Sequence, residues 1–197
     1  MSIRFNIERD FKNTEIGLIP IDWQEKKLKN YCKVISGYAF KSNDFISDGI
    51  LVVKISNLQN GTIIVDQKSS FFPRDKIFDE HKKFLLKEGD ILIALTGATI
   101  GKVAVVPKKY EGSLLNQRVG KFLIFNDEII REYLFYCTQL KNFREYIVGN
   151  ILRSAQGNIS PKNIENIIIP LPPLSEQKAI AYVLSTIQEA KEKTEAV

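Results

Sequence analysis

The chain has 197 residues, of which 44% are apolar and 26% are charged, and its formal net charge is +5 at pH 7. This composition predicts a globular protein with a substantial core and excludes intrinsic disorder. The first residues are polar, and no apolar run approaches the roughly 20 residues of a membrane helix, so we expect a cytoplasmic protein. The last 23 residues carry three Lys and four Glu. The basic excess therefore lies in the body, which suits an acidic partner such as nucleic acid.

The opening segment, residues 11–28, is divided into turns by Gly17 and Pro20. Trp23 is the only tryptophan, and we expect it to anchor this segment to the core. The two cysteines, Cys32 and Cys137, have apolar neighbours and no CxxC spacing, which predicts reduced core residues.

A short strand is predicted at Cys32–Ser36, followed by an aromatic loop over residues 37–45. Phe40 and Phe45 are expected to pack inward. Lys41 and Ser42 form the tip of the loop and are candidate contacts to DNA, as is Tyr38, for which packing is an equal alternative.

The β-branched run Ile50–Ile55 predicts a strand. Residues 56–61 form a turn, and residues 62–65 return, which predicts a hairpin. Lys54 and Asn57 are further candidates for contact with DNA. His81, the only histidine, lies between charged neighbours in a short helical stretch, so we expect a surface residue and not a catalytic base.

The segment 88–106 predicts two strands joined by a tight connection at residues 96–101. It is not a P-loop, because only three residues separate Gly97 from Gly101, Val103 follows Lys102, and a strand follows where a P-loop has a helix. Its small and hydroxyl residues suit a close backbone approach to a phosphate. The candidate contacts here are Thr96, Thr99 and Lys102.

The segment 114–121 places Asn116, Gln117 and Arg118 in succession. Asn and Gln can pair with adenine edges and Arg with guanine edges. If the segment is a strand, alternate side chains point apart and the three residues cannot all face one groove. We interpret Asn116 and Gln117 as partly structural and Arg118 as a candidate contact.

Helices are predicted at residues 128–138 and 141–148, and a polar loop follows at residues 149–160. Arg153, Gln156 and Asn158 are candidates for DNA contact from this loop, and an ordinary connecting loop is the alternative. Ser160 followed by Pro161 predicts the start of a short helix.

The apolar run at residues 167–169 predicts a strand that Pro170, Pro172 and Pro173 end. Ser175 is expected to cap a helix over residues 176–197. One face of this helix carries an apolar stripe, which calls for a partner helix or for packing on the chain's own core. The stripe comprises Ile180, Val183, Leu184, Ile187, Ala190 and Thr194.

The usual catalytic patterns are absent from the sequence. One His and two separated Cys argue against a zinc site, and neither a Gly-x-Ser-x-Gly elbow nor a Rossmann fingerprint occurs. Pro172 and Pro173 lie between leucines and lack the flanking residues of amino-methyltransferase motifs. We therefore expect no catalytic residue, no metal and no cofactor in this chain.

Four strings resemble, in order, elements of the specificity subunits of type I restriction–modification enzymes. They are Lys-x-Thr-Glu-Ile-Gly-x-Ile-Pro-x-Asp-Trp (12–23), Leu-Thr-Gly-Ala-Thr-Ile-Gly-Lys (95–102), Asn-Gln (116–117) and Pro-Leu-Pro-Pro-Leu-Ser-Glu-Gln (170–177). The last string is similar to the junction between a target-recognition domain and a conserved helix in that family.

The resemblance implies an α+β fold: a target-recognition domain, residues 1–170, with a small twisted sheet and flanking helices, then one long coiled-coil-type helix, residues 171–197. It implies double-stranded DNA, methyltransferase subunits and restriction subunits as partners. S-adenosylmethionine, ATP and Mg are expected only in those partner subunits. Because family members usually hold two recognition domains, this chain is similar to a half-subunit that forms a homodimer or pairs with another half.

Two other interpretations stay open at this point. One is a protein-interaction scaffold or truncated remnant that pairs with partner subunits without binding DNA. The other is the recognition part of a fused type II methyltransferase–nuclease.

Overall fold

The computed structural model describes residues 10–154 and 157–195 and shows an α+β fold. The strands are, in chain order, Phe11–Thr14 (β1), Gly17–Pro20 (β2), Gln24–Lys27 (β3), Cys32–Ser36 (β4), Ile50–Val53 (β5), Leu58–Gln59 (β6), Thr62–Ile63 (β7), Ser70–Phe72 (β8), Ile91–Ala94 (β9), Val103–Val105 (β10), Leu114–Leu115 (β11), Val119–Ile124 (β12) and Ile168–Leu171 (β13). The helices are Asp79–Lys82 (α1), Arg131–Cys137 (α2), Lys141–Arg153 (α3), Pro161–Glu165 (α4) and Leu174–Glu195 (α5).

A four-stranded antiparallel sheet with the order β10–β9–β12–β4 forms the centre of the molecule. Successive side chains of a strand point to opposite faces. Ile91 and Ile93 of β9 belong to the core beneath α2, α3 and α4, whereas Leu92 and Ala94 belong to a second core on the other face. Because both faces are buried, this strand is an unbroken apolar run and not an alternating one.

Smaller sheets surround the central one, with the orders β11–β5–β8, β13–β3, β6–β7 and β1–β2. The predicted hairpin between residues 50–55 and 62–65 is wrong in its first strand. β5 pairs with β8 and β11, and the hairpin is formed by β6 and β7. A 3₁₀ turn at Ile55–Asn57 ends β5 and redirects the chain before the hairpin begins.

His81 is buried, with 3% of its surface exposed, so the prediction of a surface histidine is wrong. Its ring packs against Phe40, Phe72 and Tyr38 at centroid distances of 5.8, 5.3 and 4.6 Å. Its Nδ1 accepts a hydrogen bond of 3.1 Å from the N–H of Phe78. The single turn of α1 points this side chain inward while its charged neighbours stay exposed. The expected packing of Phe40 is confirmed.

The start of α4 agrees with its sequence signal, because the Ser160 hydroxyl accepts a 3.1 Å hydrogen bond from the N–H of Asn163. β13 includes Pro170 and ends at Leu171, directly before Pro172 and Pro173. Within residues 10–154 and 157–195 it pairs with β3 alone, so the missing N–H of Pro170 is tolerated at its other edge. The Pro170 carbonyl accepts a hydrogen bond from the Tyr133 hydroxyl.

The long helix α5 begins at Leu174, so Ser175 lies within its first turn and does not cap it. The Pro173 carbonyl accepts the N–H groups of both Glu176 and Gln177. Trp23 is half-buried and attaches the opening segment to the first turn of α5, where its Nε1 donates a 2.9 Å hydrogen bond to the Glu176 carboxylate. α5 then packs along α2, with Ala181 buried between the two helices.

Candidate nucleic-acid interface

One end of the central sheet gathers most of the predicted site segments. Antiparallel pairing places Ser36 at the end of β4 beside Gly120, and Ala94 at the end of β9 beside Val119. The connections that leave this end are residues 37–45, 95–102 and 116–118. Segments 54–57 and 157–158 join them through the contacts described below. We call these five segments together the loop face.

Leu95 and Thr96 are the point at which the segments of the loop face meet. The Leu95 N–H donates to the Arg118 carbonyl at 2.9 Å, and the Leu95 carbonyl accepts from Ile159 at 3.0 Å. Thr96 forms a β-bridge with Asn158. The connection is thus tied to two other parts of the loop face by backbone bonds.

The connection between β9 and β10 turns at Gly97 and Gly101, whose φ angles are +78° and +80°. The hydroxyls of Thr96 and Thr99 are shielded from solvent and have no hydrogen-bond partner among the described residues. They point inward, so these two candidates do not present a polar group to a ligand in this conformation. Lys102 is exposed beside them.

Residues 116–118 form a turn and not a strand. Asn116 is buried, and its Oδ1 accepts the N–H of Arg118 at 3.2 Å, as expected for a structural residue. Gln117 and Arg118 are both exposed. The argument from strand alternation therefore does not apply to these two side chains.

The segment after β4 places its candidates in two environments. The Tyr38 hydroxyl donates to the Glu80 carboxylate at 3.0 Å, and its ring contacts His81 edge-on, so this side chain is engaged by packing. Lys41 and Ser42 are exposed at the start of a short 3₁₀ turn.

Gly37 is required for this segment to reach β11. A Cβ atom at this position would overlap the carbonyl oxygens of Leu115 and Asn116. We expect Gly37→Ala to lower the free energy of unfolding by about 1–3 kcal/mol, because the two backbones must separate. Urea denaturation measures the loss. Gly112→Ala cannot serve as the control, because the φ of Gly112 is +82° and a side chain would strain the backbone there. Gly149→Ala in α3 can serve as the control, because nothing lies within 4 Å of a Cβ atom at that position.

Lys54 and Asn57 point into the protein. The Lys54 ammonium donates to the Ser70 hydroxyl and lies 4.2 Å from the centroid of the Phe45 ring, and burial lowers its pKa. The Asn57 side chain bonds the Lys54 N–H and the Ile64 carbonyl, each at 2.9 Å. We correct both predictions, because these side chains hold the chain together and do not face outward.

The loop after α3 supplies the remaining candidates. Arg153 is exposed at the C-terminal end of the helix, and Asn158 is half-buried where it bridges Thr96. Gln156 lies outside the described residues. The exposed cations of the loop face and its border are thus Lys41, Lys102, Arg118 and Arg153.

A second exposed surface lies on α5. Each residue advances about 100° around a helix. Gln177, Ala181 and Gln188 therefore face the body, whereas the stripe lies about a quarter turn away. Ile180 and Leu184 stand at its border with the body, and Val183 and Ile187 are 53% and 59% exposed. α5 thus packs on the chain's own core along one face, as the alternative expected, while Val183 and Ile187 of the stripe remain exposed.

Across residues 10–154 and 157–195, no group of three or more His, Cys, Asp and Glu side chains is arranged to hold a metal ion. The same residues include no helix that is both long and apolar enough to span a membrane.

The sequence matches the family model of the type I restriction modification DNA specificity domain over residues 20–196. The MjaVIII specificity subunit of Methanocaldococcus jannaschii is 36% identical over 182 residues, which are 91% of this chain and 42% of the relative. The EcoAI specificity subunit of Escherichia coli is 28% identical over 169 residues, which are 82% of this chain and 28% of the relative. The chain spans less than half the length of these relatives.

Solved structures show the same fold. The HsdS subunit from Thermoanaerobacter tengcongensis superposes with a TM-score of 0.63 at 20% identity, covering 91% of this chain and 40% of that one. A chain from a study of complex assembly and conformational transition in the type I R-M system gives a TM-score of 0.64 at 22% identity, covering 94% of this chain and 45% of the other.

Proposed function

This chain belongs to the type I restriction–modification DNA specificity family, and we propose on that premise that it recognises double-stranded DNA for a type I restriction–modification enzyme. In this proposal residues 1–170 form the target-recognition domain and residues 171–197 the pairing helix. The loop face contacts the DNA. The chain directs methyltransferase and restriction subunits to the target.

The grouping of exposed cations supports the loop face as the DNA contact. Lys41, Lys102 and Arg118 lie on different connections at one end of the central sheet, and Arg153 ends α3 just before the segment in which Asn158 bridges Thr96. Long flexible cations around a surface of several loops suit phosphate contacts, which position a protein on a duplex.

The chemistry of the reactive side chains supports a role without catalysis. Burial raises the pKa of the Cys32 thiol to about 12, and it raises that of Cys137 to about 12. Neither is a thiolate nucleophile at neutral pH. His81 is buried, and its Nδ1 already accepts a backbone hydrogen bond. We infer that the partner subunits carry the methyl-transfer and cleavage chemistry with S-adenosylmethionine, ATP and Mg.

The exposed stripe of α5 supports pairing with a second half-subunit, which is either another copy or a separate chain. Two copies related by a two-fold axis would present two loop faces to a split, palindromic DNA site. A scaffold that pairs without binding DNA is the alternative.

The test of DNA binding is the salt dependence of affinity for a fluorescent duplex, with the full chain alone and with its methyltransferase partner. Each phosphate contact contributes about −0.9 to the slope of log K against log salt. We expect the triple variant Lys41→Ala, Lys102→Ala and Arg153→Ala to have a shallower slope, with its magnitude reduced by roughly 2 to 3.

The matched control is Lys29→Ala, because Lys29 is exposed in the 3₁₀ turn that precedes β4, at the opposite end of that strand from the loop face. It should leave the slope unchanged. The proposal would be contradicted if the affinity for DNA did not vary with salt. It would also be contradicted if Lys29→Ala changed the slope as much as the triple variant does. Pairing of the chain with its partners in the absence of DNA affinity would favour the scaffold.

A further inference from the structure

A groove beside α3 borders the loop face. Its walls are the tip of the β6–β7 hairpin at residues 60–61, residues 100–103 of the connection between β9 and β10, and the face of α3 that carries Arg144, Val148 and Ile151. Its volume is about 430 Å³, which is within the range of protein binding sites. We call it the α3 groove.

Contacts with the rest of the fold fix both walls of the α3 groove. The Gly61 carbonyl accepts the Val105 N–H at 2.9 Å, which attaches the tip of the hairpin to β10. On the other side, a Cβ atom at Gly101 would lie 3.3 Å from two side-chain carbons of Ile147, so the connection packs directly on α3. Ile147 is itself buried in the core. The groove is therefore a preformed feature of the chain.

The charged side chains that line the α3 groove are both cations. They are Lys102 and Arg144, which are exposed, and no Asp or Glu of the described residues lines the groove with them. Neither cation forms an ion pair within residues 10–154 and 157–195, and Arg144 donates to the Gln139 Oε1 at 3.2 Å. A guanidinium has five N–H donors, so most of those of Arg144 can still bind a carboxylate. The groove therefore favours an anionic ligand.

Exposed apolar side chains extend the α3 groove along the helix. Val148 lines the groove and is 53% exposed, and Leu152, one turn further along, is 81% exposed. A small anion bound between Lys102 and Arg144 would leave Leu152 in water. The phosphates of a duplex offer no apolar surface that could cover it. A segment of protein can supply both the anion and the apolar cover.

We propose that the α3 groove binds an acidic amphipathic segment of another protein. Apolar side chains of that segment cover Val148 and Leu152, and its carboxylates bind the Arg144 guanidinium and the Lys102 ammonium. Arg144, Val148 and Leu152 follow one another at intervals of four residues, which span about 12 Å of helix. The segment therefore needs a carboxylate followed by two bulky apolar side chains over a similar length.

Lys102 belongs both to the α3 groove and to the loop face. A carboxylate bound to Lys102 removes one cation from the surface proposed to contact DNA. Occupation of the groove is therefore expected to reduce the magnitude of the salt slope of DNA binding by about 0.9. This consequence rests on the proposed function, whereas docking of the acidic segment does not.

The test is a selection of phage-displayed random 12-residue peptides on the full chain, with counter-selection on the double variant Arg144→Glu and Leu152→Ser. Both residues are exposed, so the variant should keep its fold, which thermal melting verifies. We expect the peptides that distinguish the two proteins to carry Asp or Glu beside bulky apolar residues. A fluorescent synthetic peptide with the selected consensus should bind roughly tenfold more weakly to each single variant than to the wild type.

The matched controls are Arg74→Glu and Leu18→Ser, which change an exposed arginine and a leucine that is 68% exposed, both outside the α3 groove. Each should bind the peptide as the wild type does. The proposal is overturned if no selected peptide distinguishes the wild type from the double variant, or if the distinguishing peptides are uncharged or basic.

The same variants separate protein docking from DNA binding. If Leu152→Ser weakens the affinity for a fluorescent duplex as much as the affinity for the peptide, the surface belongs to the DNA interface and the proposal is wrong. If the wild type binds the peptide but no duplex at any salt concentration, the docking site stands and the proposed function fails instead.

Discussion

Gln177→Leu is expected to lower the free energy of unfolding by about 2 to 4 kcal/mol, because it leaves one buried and two partly buried backbone groups without partners. Gln177 is 0% exposed at the start of α5. Its Nε2 donates to the carbonyls of Glu128 and Pro172 at 2.8 and 3.0 Å, and its Oε1 accepts from Ile130 N–H at 3.0 Å. One amide thus joins the helix to the segment that leads into α2.

Urea denaturation of the whole chain measures this loss, and hydrogen exchange at Ile130 locates it. Leucine has a similar volume, so the comparison isolates the lost hydrogen bonds from a packing defect. Gln24→Leu, on the exposed surface of β3, should change stability by less than about 0.5 kcal/mol. If Gln177→Leu is as stable as the wild type, the apolar contacts of Ile180 and Ala181 and the Trp23–Glu176 hydrogen bond hold α5 on the body without this amide.

Local sequence signals predicted the central strands β4, β9 and β10 and the long helix, because these depend on runs of residues that are close in the chain, but they did not predict β12. Cys32–Ser36 matches its prediction, and α5 begins two residues before its predicted start, whereas its predicted end at residue 197 lies outside the described residues. The partner of β5 could not be predicted in the same way. β5 pairs with β8 and β11, and the nearer of these begins 17 residues after β5 ends.

The orientation of polar side chains was the least predictable part of the candidate site. The sequence indicates outward-facing positions for Lys54, Asn57 and His81. In the structure, however, each of these side chains forms a hydrogen bond within the fold, and the His81 ring also packs against aromatic rings. Lys121 shows the same effect, because it is buried in β12 and its ammonium lies 3.2 Å from the Asp90 carboxylate. No residue type or spacing distinguishes these from exposed lysines and asparagines elsewhere in the chain.

Gln117 shows the opposite error. The sequence interpretation made Gln117, like Asn116, partly structural, but its side chain is exposed. The tight turn there depends on distant carbonyls at Val53 and Tyr38, which the local sequence does not reveal. The grouping of Lys41, Lys102 and Arg153 likewise follows from the order of strands in the sheet.

The double variant Val183→Asp and Ile187→Asp is expected to weaken pairing through α5 by roughly one-hundred-fold or more. Burying one Val or Ile side chain contributes about 1.5–3 kcal/mol, and a symmetric pair contains each position twice. Even partial burial of the four side chains exceeds the roughly 2.8 kcal/mol that one-hundred-fold represents. Both residues are more than half exposed in one chain, so its own fold should be kept.

Light scattering across a range of protein concentrations measures this effect. Tyr182→Asp is the matched control, because Tyr182 is 73% exposed on the same helix but lies about 100° around its axis from Val183. It replaces a large side chain that is even more exposed than those of Val183 and Ile187 and should leave the molar mass unchanged. A wild-type chain that stays monomeric at every concentration would exclude the homodimer, and the stripe would then have to receive the helix of a different half-subunit. If the wild type is a dimer and the double variant has the same molar mass, the pairing surface lies elsewhere on the molecule. The reason is that two buried carboxylates per copy are incompatible with an apolar helix contact.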